Sequence, residues 1–123
     1  MAITLKNLDQ PDESFAYGDA GRADYTLLGS SMVGRSTLHP GWSWDEYVQP
    51  HTDGETSCSL THYEYVISGR IRYLTDEGEE VVAGPGDHLE IGPGHRAWVE
   101  GDEPFVAIDF EVGEFEADED EEG

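Results

Sequence analysis

The sequence predicts an all-β sandwich or barrel on three observations: short runs of β-branched and aromatic residues, glycine and proline corners at regular intervals between them, and no amphipathic stretch of helical length. Residues 1–24 are polar and turn-rich, with Pro11, Gly18 and Gly21 interrupting any helical period, and read as an N-terminal arm lying against the barrel. Strands are expected at 25–28, 33–39, 42–48, 57–67, 70–75, 80–83, 88–91, 97–100 and 105–111, so that 25–112 form the barrel. The corners carry their own chemistry. "DEG" at 76–78 is a hairpin turn, while "GPGD" at 84–87 and "GPG" at 92–94 end strands sharply, because glycine supplies positive φ and proline restricts its own φ. Residues 113–123 include "EADEDEEG", a block of like charge with few apolar anchors, and are expected to form a disordered acidic tail.

A chain of 123 residues suffices for one core and not for two ordinary domains. Its 28 acidic residues against 6 basic ones give a formal net charge of −22, which repels phosphate backbones and anionic membranes and argues against nucleic acid or a membrane surface as partner. High Asp and Glu with Lys6 as the sole lysine resembles the composition of proteins from salt-accumulating halophilic archaea. Self-repulsion follows from that charge, and salt screens it. The fold is therefore expected to melt higher in molar than in tenth-molar KCl, and equal melting temperatures would refute this. Cys58 is the sole cysteine, so no internal disulfide forms and a reducing cytoplasm is the expected compartment. The N-terminal stretch "MAITLKNLDQPDESF" has no apolar core of signal-peptide length, and neither secretion nor membrane spanning is expected.

"YVISG" at 65–69, "GPGD" at 84–87 and "GPGH" at 92–95, together with "PGWSW" at 40–44, "SC" at 57–58, His62 and "GHRAWVEGDEP" at 94–104, resemble the cupin superfamily, in particular its small single-domain members. The resemblance implies a conical β-barrel (a double-stranded β-helix or jelly roll) whose interior holds a metal or a small ligand, and a homodimer as the expected assembly. The usual cupin metal motif is degenerate. Counting from Gly69, its glutamate slot holds His62, and its paired histidine slots fall on Thr56 and Cys58, or on Glu55 and Ser57; the last histidine slot holds Ala97. His95 lies two residues before that slot and so shares its face.

The same period of two places His62, Glu64 and Val66 on one face, with Cys58 beside them if the strand is straight. Two readings of Cys58, His62 and His95 are open. In the first they form an unorthodox metal centre, where one thiolate and two imidazoles favour a divalent transition metal, zinc or iron, over magnesium or calcium. In the second they make polar contacts to a small-molecule ligand, or pack, without metal. Trp42, Trp44, Glu64 and His51 are the candidate ligand pocket: the tryptophans as walls, Glu64 as a polar group and His51 in a loop at the barrel mouth. A straight strand would hold Cys58 and His62 about 13 Å apart, which argues against a nucleophilic Cys-His pair. Arg70 and Arg72 share a face and suit ion pairs with Glu64 or neighbouring acids, or an anionic ligand. No phosphate-binding loop, nucleophile elbow or CxxC pair is present, and no reaction follows from the residues.

Overall fold

A computed structural model describes residues 2–112. The acidic tail expected at 113–123 lies outside the described residues. The described residues fold as nine strands: β1 (Glu13–Ala16), β2 (Gly21–Leu28), β3 (Ser31–Leu38), β4 (His62–Ser68), β5 (Arg70–Thr75), β6 (Glu80–Ala83), β7 (His88–Ile91), β8 (His95–Glu100) and β9 (Phe105–Val112). One short helix, α1 (Trp44–Tyr47), precedes β4. All pairings are antiparallel and build a six-stranded sheet in the order β1-β2-β3-β9-β4-β7 and a three-stranded sheet in the order β6-β5-β8. No described helix is long and apolar enough to cross a membrane.

The alternation visible in the sequence decides which side chains fill the space between the sheets. His95, Ala97 and Val99 of β8 are buried while Arg96, Trp98 and Glu100 between them are only partly so. In β4 the buried positions are Glu64 and Val66. Val66, Ile71 and Phe105 are the largest fully buried side chains. Each contributes about 1.5–3 kcal/mol relative to exposure. At Gly69 the chain leaves the six-stranded sheet for β5 of the three-stranded one with φ of 76°, and a Cβ there would collide with the Pro104 carbonyl. Only glycine fits both requirements.

Strands expected at 70–75, 80–83 and 88–91 coincide with β5, β6 and β7. Three expectations are corrected. Residues 42–48 are not a strand: Ser43 caps α1, its hydroxyl accepting from the Glu46 backbone N–H at 3.2 Å. The spacing of Ser43 and Glu46 is that of a capping box, a local signal that outweighs the β propensity of two tryptophans. The strand expected at 57–67 begins only at His62, after a bend at Leu60. The boundary drawn at 24/25 runs through β2, and β1 adds an edge strand from within the expected arm, Glu13–Ala16 pairing with residues 22–25.

Candidate functional site

The bend at Leu60 shapes the site, because it frees Cys58 from the line of β4 and turns its side chain towards His62. Cys58 pairs instead with His95, donating its backbone N–H to the His95 carbonyl at 2.7 Å, while Gly94 donates to the Cys58 carbonyl at 2.6 Å. Gly94 takes φ of 88° to do so, which explains the glycine in "GPGH". The straight-strand separation of Cys58 and His62 is thereby overturned: Cys58 Sγ lies 3.5 Å from His62 Nε2. The His62 and His95 rings meet edge to face with centroids 5.2 Å apart. One ligand atom from each of Cys58, His62 and His95 lies within 4.8 Å of the others.

Tautomers follow from the partners. His95 Nδ1 lies 2.6 Å from the Gly92 carbonyl oxygen, which only accepts, so Nδ1 carries the proton and Nε2 keeps a lone pair. A fixed second-nitrogen hydrogen bond of this kind orients ligand histidines. Burial, and then the neighbouring His95, push the His62 imidazole down to about 4, and burial also lowers His95. Both rings are neutral at pH 7. Burial raises the Cys58 thiol, so without a metal it keeps its proton and is hydrogen-bonded to His62 Nε2.

Tetrahedral coordination at metal–ligand distances of about 2.0–2.3 Å sets ligand atoms about 3.5 Å apart. The cluster therefore fits an ion after drawing in by about an ångström. Three protein ligands leave one coordination position for water or a ligand, as in catalytic rather than structural zinc sites.

Beyond the cluster lies a cavity of about 230 Å³, lined by Cys58, His62, His95, Trp42, Trp44 and Glu64 among others. Trp42 and Trp44 are 6% and 5% exposed and reach it from the segment around α1 rather than from a strand. Glu64 is buried, and its Oε1 accepts the Tyr73 hydroxyl at 2.7 Å. Opposite it in the register stands Asp109 of β9. Burial and the Glu64 carboxyl raise Asp109 to about 8, so at neutral pH Asp109 keeps a proton directed towards Glu64, whose own carboxyl is raised by burial. Burial first, then Glu64, hold the Tyr73 phenol well above its ordinary value.

The sequence reading did not single out Asp109 or Tyr73. The signal was there: in "FVAIDFEV" Asp109 continues the inward period of Phe105 and Ala107. His51 is not among the cavity's lining residues; it is exposed in a 3₁₀ turn, with its ring 6.1 Å from Phe15. Arg72 pairs with Glu100 at 2.6 Å and Glu80 at 3.3 Å, not with Glu64.

No protein-family model and no curated protein sequence matches the chain. Solved structures do match in fold. An RmlC-like cupin from Shewanella frigidimarina superposes with a TM-score of 0.61 at 18% identity, over 93% of this chain and 96% of that one. A Cupin 2 conserved barrel domain protein from Salinispora arenicola gives 0.59 at 18% identity, over 89% and 88%. A double-stranded β-helix domain protein from Klebsiella pneumoniae gives 0.58 at 21% identity, over 89% of each chain. The six- and three-stranded sheets enclosing one cavity are the cupin fold, and this chain has it.

Proposed function

We propose that this cupin-fold protein holds one divalent transition metal on Cys58, His62 and His95 and binds a small organic ligand in the adjoining cavity. The observation that carries this reading is the convergence of a thiol and two neutral imidazoles, within 4.8 Å, on the wall of a cavity. The softness of that donor set favours zinc or iron. When bound, such an ion would act as a Lewis acid towards a ligand oxygen or a water. Around it, His95 is oriented by Gly92, Trp42 and Trp44 exclude water, and Asp109 holds a proton on the side of Glu64.

The test is metal content by plasma mass spectrometry on protein purified in high salt without affinity tag or chelator. Near one equivalent of a transition metal in wild type, lost in His62→Ala, is the expected result. Absence of metal from wild type, even after incubation with zinc and iron(II), would overturn it. A second reading, a metal-free binding module, draws on the fact that Cys58 and His62 already satisfy one another at 3.5 Å. The proposal extends to a homodimer in a reducing, salt-rich cytoplasm. It is supported there by the resemblance, by the single thiol Cys58 and by the net charge of −22.

A further inference from the structure

We propose that the cavity takes an organic cation, a small ammonium bearing methyl or alkyl groups, seated among the rings of Tyr17, Tyr25, Trp42 and Trp44 and the carboxyl groups of Glu64 and Asp109. This deepens the reading of the cavity as a ligand site and rests on it; it does not rest on the metal, whose three proposed ligands are other residues. The charged groups of the wall are of one sign. Two carboxyl groups line the cavity, and no Lys or Arg does. Five of the six basic residues pair with acids elsewhere: Lys6 with Asp12, Arg22 with Asp24, Arg35 with Asp9 and Asp24, Arg72 with Glu80 and Glu100, and Arg96 with Asp45.

A ligand must therefore bring any positive charge that the carboxyls are to meet. Asp109 Oδ1 is buried with no hydrogen-bond partner, and so are the indole Nε1–H groups of Trp42 and Trp44, so the ligand is also expected to carry an acceptor such as a hydroxyl beside its cationic head. Aromatic rings complete the preference, since a desolvated cation is drawn to the faces of tryptophan above all and then tyrosine. Tyr17 and Trp42 are already set edge to face at 5.7 Å, and both tryptophans are more than nine-tenths buried. A simple metal cation prefers oxygen ligands to ring faces, whereas methyl groups on nitrogen both spread the charge and pack against the rings. At about 230 Å³ the cavity suits a compact molecule. A second hollow of about 370 Å³ adjoins the first and shares Tyr25, Leu60, His62 and Asp109 with it. The net charge of −22 concentrates cations at the protein surface.

The experiment titrates protein, as purified and in constant molar KCl, with choline and with 3,3-dimethylbutan-1-ol, its uncharged isostere in which carbon replaces the quaternary nitrogen. Calorimetry and tryptophan fluorescence report binding. Choline is expected to bind saturably and at least about tenfold tighter than the isostere. The double variant Glu64→Gln/Asp109→Asn, which keeps shape and leaves the pair unable to carry a charge, and Trp42→Phe, which weakens the ring face, should each lower choline affinity by about tenfold while leaving the isostere unchanged. Equal affinity for the two probes would overturn the cation and leave an apolar ligand pocket standing. Binding of neither probe by protein that still takes up zinc would overturn it too, with the metal reading intact.

Discussion

Asp109→Asn is expected to flatten the pH dependence of stability and to make the protein more stable than wild type at pH 8. In the folded chain Asp109 titrates at about 8, against 3.8 ordinarily, because it is buried and faces the Glu64 carboxyl. Between those values the native state holds a proton that the unfolded chain has already released. Stability then falls as pH rises, by up to about 1.4 kcal/mol per pH unit for the one proton, and the loss is complete only above the folded value. The stabilisation is therefore fully present below about pH 4 and gone above about pH 8. An amide never ionises, so the variant loses this proton's share of the slope and keeps whatever part Glu64 contributes. Urea unfolding at steps from pH 5 to 8.5, in molar KCl with chelator present, reads the difference directly. Parallel curves for wild type and variant would mean that Asp109 is ionised in the fold and that the pair does not share a proton.

Metal affinity should have the opposite dependence. Both imidazoles are already neutral at pH 7, His62 having been pushed down to about 4, so they release nothing on binding. Cys58 is different: burial raises its thiol, and the thiolate is the ligand. One proton must leave, and zinc affinity is expected to climb about tenfold per pH unit between pH 6 and 8. Cys58→Ser should remove that slope and weaken binding by about 100-fold or more, since loss of partners one shell further out costs about 10–100-fold already. Competition titrations against a chromophoric chelator at several pH values measure both. A flat profile in wild type would show that sulfur is not a ligand. A slope surviving in Cys58→Ser would show that the released proton comes from a group other than the thiol. At free zinc 100 times the dissociation constant, the metal adds about 2.7 kcal/mol to stability, so thermal melts with and without chelator give an independent check.

How much of this could be read from the residues depends on how local each cause is. The hairpins around β5 and β6 are punctuated by glycines such as Gly78, and their strands coincide with the expected ranges. Around Trp42 and Trp44 two local signals conflicted, and the capping serine prevailed over aromatic strand propensity. Cys58, His62 and His95 were singled out by period-two alternation and by resemblance. What brings Cys58 to His62 is a pairing with His95, 37 positions along the chain, and a bend at Leu60, neither of which leaves a short-range signature. Glu64 and Asp109 likewise meet through the register of β4 against β9. A site assembled across strands is legible residue by residue and not as a constellation.

The place of β9 has one more consequence, for the order in which the molecule forms. Residues 105–112 lie between β3 and β4, hydrogen-bonded to both, so the six-stranded sheet stays divided until they arrive. On a ribosome the first hundred residues would emerge as a meander of β1, β2 and β3 and a separate group of strands, each with an open edge. Closure then joins segments some 70 positions apart, as in Arg35 opposite Ile108, and such long-range pairing folds on the millisecond-to-second scale rather than in microseconds. The cavity, to which Asp109 belongs, comes into being only with that last step.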